Sequence, residues 1–372
     1  MESITQIKVA HLTSVHRPSD TRIAHRECAT LSDAGYDVVL IAPGSGRGVP
    51  RGVRFRGVDP PANRFDRVTR TMYRVYRVAL AERADIYHFH DPELMLLGLM
   101  LRMRGKEVIF DVHEDIPRDI LDKPWIPRVL RRPTSIAAKA VLRVLQRGYS
   151  GIVAATPAIA EHYSHPRKVV VANYPCVEEL AGKAQRPIAE REKCVVYVGE
   201  ITALRGAAEM VNGAGALRGA VRLLLVGPFE DPAVRERVRK LPGWKYVDYL
   251  GPRHRSDLPD LLSTARAGLL LMLPAENHYD ALPTKVFEYM AAGLPVIVSD
   301  AVPLSANIVR EHQCGLVVDP RDEEAVANAI RFMMEHPDEA QAMGERGRAA
   351  ALRQYQWESE GTKLTQLYAQ IA

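Results

Sequence analysis

Two carboxylates and a lysine in the second half of the chain carry the most chemistry. Asp280, Lys285 and Glu288 lie in the run Tyr-Asp-Ala-Leu-Pro-Thr-Lys-Val-Phe-Glu-Tyr-Met-Ala-Ala-Gly-Leu-Pro-Val-Ile-Val-Ser-Asp at 279–300. Pro283 suits the first turn of a helix, where its missing N–H costs nothing. Thr284 can satisfy free amides there. Gly293 suits the position just past the last turn, and Pro295 stops the helix. Lys285 and Glu288 then share one face. Asp280 precedes the helix, so both carboxylates can point to one side. Free N–H groups at the helix start can hold a diphosphate, and Lys285 adds a point charge. A carboxylate such as Glu288 can accept from two ribose hydroxyls at once. A well-capped surface helix with one ion pair accounts for the same residues without a ligand.

Other phosphate chemistry lacks its signatures. The sequence has no GxxxxGK[ST], no GxGxxG after its first apolar run, no DxD and no GxSxG. That removes the main support for a P-loop kinase, a nicotinamide enzyme, a metal-bridged diphosphate and an α/β-hydrolase. The 279–300 run instead resembles the signature of glycosyltransferase family 4, retaining sugar-nucleotide transferases of the GT-B fold. That signature is an acidic pair separated by seven residues, ending in E-x-M-A-x-G-x-P-V-I. Asp280 and Glu288 match the pair, with Asp where the family usually has Glu. Residues 288–297 match the tail.

Three further segments are similar to the same family. Cys-Gly-Leu-Val-Val-Asp-Pro at 314–320, followed by Asp322, Glu323, Ala327, Ile330 and Pro337, matches its G-x-x-V-x-P-x-D segment and next helix. Tyr-Val-Gly-Glu-Ile-Thr-Ala-Leu-Arg-Gly at 197–206 resembles the strand and loop that bind the diphosphate. There Gly199 permits close backbone approach. Arg205 and Gly206 replace the commoner Lys-Gly, and arginine grips phosphate with two parallel bonds. Glu200 stands where the family usually has a cation. In Phe-Asp-Val-His-Glu-Asp at 110–115, His113 matches the histidine placed near the donor-sugar hydroxyls.

The resemblance implies the following roles. Gly199, Arg205, Gly206, Leu282, Pro283, Thr284, Lys285 and Glu288 surround the nucleotide diphosphate, with Glu288 at the ribose. His113, Asp280, Arg205 and Lys285 act on the transferring sugar and the departing diphosphate. The donor substrate is an NDP-sugar, UDP first and GDP second, with no separate cofactor and no required metal. His90, Asp91 and Glu93 end another strand. Asp91 suits a helix N-cap, with Pro92 at the first helical position, and a secondary acceptor contact is the other option. A metal site at this rim is weakly supported by the spacing. The loop from His11 to Arg22 departs from the family's glycine-rich version. Arg17, Asp20 and Arg22 occupy it, which points to unusual acceptor recognition or to Asp20 as a simple N-cap.

Short apolar runs alternating with longer amphipathic segments must position these residues. Strands are expected at 7–13, 37–42, 85–90, 107–113, 151–155 and 168–172. They are expected again at 194–199, 221–227, 246–250, 267–273, 295–299 and 315–318. Helices fit at 20–34, 66–82, 92–104, 134–148 and 157–163, then at eight places between 204 and 371. Solidly apolar strands alternating with helices mean parallel sheets covered on both faces. The fold class is therefore α/β, two doubly wound Rossmann-like domains, and the resemblance makes it GT-B with the domains facing a cleft. The expected division is an acceptor domain at 1–175, a linker at 176–192 and a nucleotide-sugar domain at 193–356. A C-terminal helix at 357–372 packs back toward the first domain.

A chain of 372 residues with 47% apolar and 26% charged residues supports two such domains. No run of apolar residues is long enough to cross a bilayer, and the first residues lack an apolar signal core. Cys28, Cys176, Cys194 and Cys314 form no CxxC and read as reduced thiols. Cytoplasmic placement is expected. Residues 1–175 carry 27 Lys and Arg against 18 Asp and Glu, so this half favours an anionic partner. Arg64, Arg67, Arg70, Arg74 and Arg77 recur along one helix face, and Arg128, Arg131, Arg132, Lys139, Arg143 and Arg147 form a second basic stretch. Both allow peripheral contact with an anionic inner leaflet, as a glycan or lipid-linked acceptor would require. Nucleic acid lacks aromatic interleaving or a known module. The expected activity is hexosyl transfer, in exopolysaccharide or lipopolysaccharide assembly. A natural-product transferase, a sugar-nucleotide epimerase and an inactive nucleotide-binding scaffold are the alternatives.

Overall fold

The computed structural model describes residues 6–123, 126–180, 186–279 and 281–372. The chain forms two compact units, one of Met1–Asn173 with Trp357–Ala372 and one of Tyr174–Gln356.

The first unit is built on seven strands: β1 (Lys8–Leu12), β2 (Asp37–Pro43), β3 (Arg54–Val58), β4 (Ile86–Phe89), β5 (Glu107–Val112), β6 (Gly151–Ala154) and β7 (Lys168–Val170). Their order is β3-β2-β1-β4-β5-β6-β7, and every neighbouring pair is parallel. The chain order reverses between β1 and β4, where open α/β sheets place their ligands. Registers set His11 opposite His88 and Phe89 opposite Phe110. One step further, His90 and Asp111 lie beside each other. Strand side chains alternate, so His11, His88, His90, Asp111 and His113 share one sheet face.

Two elements here go beyond the sequence expectation. The edge strand β3 reads Arg-Phe-Arg-Gly-Val and has no apolar run. It forms because Arg54 bonds Asp37 through both nitrogens at 2.9 and 2.7 Å, while Arg56 bonds Glu82 at 2.6 Å. A helix at Ile116–Asp122 follows β5, capped by Asp115. The next helix, Arg128–Leu145, starts well before the expected 134.

The first helix opens with a π-helical stretch, Thr21–Cys28. The Asp20 carbonyl accepts from Ala24 N at 3.0 Å and from His25 N at 3.3 Å. This wider winding brings residues five apart onto one face. Arg22 and Glu27 are such a pair, and both are buried. The helix Trp357–Ile371 completes the unit, with Leu364, Leu367 and Tyr368 buried. Trp357 Nε1 donates to Thr30 Oγ1 at 2.8 Å, and Glu360 accepts from the Ala172 amide at 2.8 Å.

The second unit carries β8 (Cys194–Val198), β9 (Arg222–Val226), β10 (Val247–Gly251), β11 (Ala267–Leu270), β12 (Val296–Ser299) and β13 (Gly315–Val318). Their order is β10-β9-β8-β11-β12-β13, again all parallel. The described part of 176–192, expected to be a linker, is built into this unit. Val177 and Leu180 join the core beside Phe287 and Met290, and Ile188 is fully buried in the other layer. Their apolar side chains repay burial at about 25 cal/mol per Å².

Candidate functional site

In the second unit, the chemistry collects around the end of β8 and the helix Thr284–Ala291. Pro283 stands just before that helix and not inside it, and Thr284 makes no capping bond. Leu282, Pro283 and Thr284 are half-buried. At the far end the Leu294 amide donates to the Tyr289 carbonyl at 2.9 Å, with Gly293 at φ +63°. This is the αL ending that the Gly and Pro placement predicts. Tyr289 fastens the helix to the sheet: its hydroxyl accepts from the Val198 amide at 3.1 Å.

Lys285 Nζ donates to Glu288 Oε2 at 2.8 Å. The lysine stem passes over Gly199, where an added Cβ would meet Lys285 Cε at 3.1 Å. Gly206 is more constrained. It has φ +79°, and a Cβ there would lie 2.0 Å from the Leu271 carbonyl oxygen. It caps the helix Ala207–Gly215 and brings its N-terminus to the same turn. Arg205 Nη1 donates to the Glu200 carbonyl at 3.1 Å and lies 3.4 Å from the Glu200 carboxylate. The structure therefore brings Gly199, Arg205, Gly206, Lys285 and Glu288 into one neighbourhood. Asp280 lies outside the described residues.

Arg255 belongs to this site and escaped the sequence reading. Its Nη1 lies 3.6 Å from Glu288 Oε1, and its Nε donates to Glu179 at 2.9 Å. Its Nη2 is buried without a hydrogen bond. Glu288, 7% exposed in its side chain, thus sits between two cations. No spacing signal links residue 255 to 288; only the fold does.

In the first unit, a buried polar network lies under the strand ends. Arg22 grips Asp111 with two bonds, Nε to Oδ2 at 3.1 Å and Nη2 to Oδ1 at 2.9 Å, and its Nη1 donates to the Val171 carbonyl at 2.7 Å. Although burial works against ionisation, the Arg22 guanidinium and His113 hold the Asp111 carboxyl well below the usual carboxylate range. Asp111 can then only accept, and this fixes the network's direction. His90 Nδ1 donates to Asp111 at 3.0 Å, so His90 Nε2 accepts from His11 Nδ1 at 2.9 Å. His11 Nε2 is left to accept from the Tyr368 hydroxyl at 3.4 Å, and that oxygen takes the proton of His88 Nδ1 at 2.9 Å. Burial favours the neutral form of all three histidines, pushing His11 and His88 well down and His90 down, helped for His11 by His90 and for His88 by His11.

His113 sits at the accessible end. Its Nε2 donates to Asp111 at 2.5 Å, leaving Nδ1 for a ligand. Its side chain is 19% exposed. His16 lies beside it, ring centres 5.6 Å apart. Burial disfavours a charged His16, yet Asp20 and Asp91 raise it above its ordinary value.

Asp91 corrects an expectation. Its carboxylate does not cap the turn that Pro92 begins. It accepts instead from Thr13 Oγ1 at 2.7 Å and from the Ser14 amide at 2.6 Å. Glu93 pairs with Arg67. Asp20 does cap, accepting from the Arg22 and Ile23 amides at 2.9 Å each.

Two groups among the described residues have the composition of metal ligands: His11, Glu27, His88 and His90, and His90, Asp111 and His113. Their nitrogens are largely committed to each other. The His88 and His90 rings stack at 22°, and Arg22 Nε stands 3.0 Å from Glu27. Burial and the neighbouring Asp111 carboxylate hold the Glu27 carboxyl well above its usual range.

Comparison with known proteins follows the same division. Residues 21–174 match the family model described as Glycosyltransferase Family 4, and residues 180–350 match Glycosyl transferases group 1. The chain is 21% identical to the MMP alpha-(1->4)-mannosyltransferase of Mycolicibacterium hassiacum, over 79% of this chain and 73% of that one. Among solved structures, sucrose-phosphate synthase from Thermosynechococcus elongatus superposes with a TM-score of 0.75 at 19% identity, covering 98% and 99% of the two chains. Anabaena Alr3699/HepE in complex with UDP-glucose gives 0.74 at 14% identity, covering 98% and 100%.

Proposed function

The chain belongs to the family 4 glycosyltransferases of GT-B fold, and on that premise we propose that it moves a hexosyl group from an NDP-sugar to an acceptor hydroxyl with retention of configuration. UDP is the first candidate nucleotide and GDP the second; a HepE structure with UDP-glucose is among those similar in fold. The observation that carries the reading is the Lys285–Glu288–Arg255 set beside the Gly199 turn. A carboxylate held between two cations is poised for ribose hydroxyls. Lys285, Arg205 and the amides after Gly206 are poised for the diphosphate.

The mechanism follows from charge. The bond between the anomeric carbon and the diphosphate oxygen breaks, and negative charge grows on the phosphate. Lys285 and Arg205 stabilise that charge. The acceptor oxygen bonds the same face of the anomeric carbon, and its proton passes to a phosphate oxygen. His113, with Nε2 tied to Asp111, offers Nδ1 to the sugar hydroxyls, and Asp280 orients the same sugar. Protein cations take the role of a metal, so turnover persists in chelator. The acceptor is a glycan or a lipid-linked glycan of exopolysaccharide or lipopolysaccharide assembly.

The test is thermal stabilisation by UDP, GDP, TDP and ADP, for the wild type and Glu288→Ala, with chelator present. A nucleotide at 100 times its Kd stabilises by about 2.7 kcal/mol. One nucleotide is expected to raise the wild-type Tm and to lose its effect in Glu288→Ala. No stabilisation by any of them would remove the second unit as a nucleotide site, and the transferase reading with it.

A further inference from the structure

The helix Arg128–Leu145 has its apolar residues on the wrong side for a helix of a water-facing surface. Its inner face is held largely by polar contacts. Arg131 donates to the carbonyls of Ile126 at 2.9 Å and Leu121 at 3.2 Å, and Ser135 donates to the Pro117 carbonyl at 2.6 Å. Leu142 is its buried apolar anchor. The outer face carries Val129, Ile136 and Val144, which are 81%, 71% and 66% exposed. Pro133 and Ala140 complete that stripe at helical spacing, and both are exposed.

A second stripe runs beside the apolar one. Arg128, Arg132, Lys139 and Arg143 are all exposed, and none is in an ion pair among the described residues. The helix contains no acidic residue. The other basic stretch differs, because Arg67 is paired with Glu93 and Arg74 with Asp59.

We infer that this helix docks the first unit on an anionic lipid surface, lying in the plane of the interface. The apolar stripe enters the headgroup and acyl boundary, and the basic stripe meets the lipid phosphates. Nucleic acid would satisfy the cations and leave Val129, Ile136 and Val144 in water. A second copy packed on the same face across a two-fold would set basic stripes against each other, with no acidic residue on the helix to answer them. A bilayer answers both stripes.

The docking helix is joined directly to the site. It packs against the helix Ile116–Asp122, whose N-cap, Asp115, lies two residues after His113. The inference rests on the transferase reading in one respect, that docking would hold His113 close to the source of a lipid-linked acceptor.

The experiment is co-sedimentation of the full chain with phosphatidylcholine vesicles, with and without phosphatidylglycerol at a third of the lipid. The variants are Ile136→Asp with Val144→Asp, and Arg132→Gln with Lys139→Gln. The wild type should sediment with the anionic vesicles only, and less so in high salt. Each double variant should weaken that binding by about tenfold or more, with an unchanged Tm because the side chains are exposed. UDP stabilisation, followed in parallel, should not change. Wild-type chain left in the supernatant would overturn the inference. So would an aspartate variant that binds vesicles like the wild type. Salt-sensitive binding to a DNA duplex without vesicle binding, or a dimer dispersed by the aspartates without vesicle binding, would overturn it in favour of the other occupant. Failure of all four nucleotides to stabilise the chain, with vesicle binding intact, would strike the transferase reading and leave the docking result standing.

Discussion

Asp111 accepts from Arg22, His90 and His113, so one carboxylate sets the posture of the histidine assigned to the donor sugar. Asp111→Asn keeps the shape and removes the charge. Its amide can turn an N–H toward His113 Nε2, which favours the other tautomer. We expect kcat to fall by roughly tenfold or more, the worth of one misplaced hydrogen bond of about 1.4 kcal/mol, while the donor KM holds. Steady-state kinetics decide this, and a rise in KM with kcat intact would remove Asp111 from any positioning role. Much at this scale was legible. Lys285, Glu288 and His113 are identified by motif, and the structure gives each a charged neighbour. Arg255 was not legible, because its tie to Glu288 joins residues far apart in the chain and leaves no periodic trace. Nor was the direction of Asp91, since a residue before Pro92 has the same local pattern whether it caps its own turn or serves the loop after β1.

The helix Trp357–Ile371 supplies Tyr368 to the buried histidines and Glu360 to the Ala172 amide. Stopping the chain after Gln356 would uncover both. The first unit should then lose its cooperative melting, while the second unit keeps its own transition and its response to nucleotide. Calorimetry separates the two, and an undisturbed first transition would make the helix an accessory. Elements were readable wherever burial was two-sided. Solid apolar runs such as Val38–Ala42 and Val195–Val198 announce central parallel strands. β3 was silent because an edge strand held by arginine pairs carries no such run. The π-helical stretch was silent for another reason. Sequence periodicity assumes 3.6 residues per turn, and Arg22 with Glu27 shares a face only in the wider winding.

Across the whole molecule, the buried histidines make stability depend on pH. His11, His88 and His90 are held neutral by burial, below their ordinary value of 6.5. The unfolded chain takes up those protons as pH falls through that value and the folded chain does not, so stability drops. Glu27 works the other way, holding a proton that the unfolded chain releases above its ordinary 4.5. His16, raised against its burial by Asp20 and Asp91, also holds its proton longer in the folded chain, so the three buried histidines act against two opposing groups and outnumber them as pH falls below 6.5. Tm should fall clearly between pH 7 and pH 5, and a flat profile would mean that the histidines are already charged. The broken course of the chain has a different consequence, one of timing. The first unit starts at the beginning of the sequence and closes only with 357–372, after all of 174–356. On a ribosome adding about 5–20 residues per second, that closing helix emerges some ten seconds or more after the sheet it covers. During that interval the histidine face has no lid. The second unit, uninterrupted in sequence, can be finished first, so the order of maturation runs opposite to the order of translation.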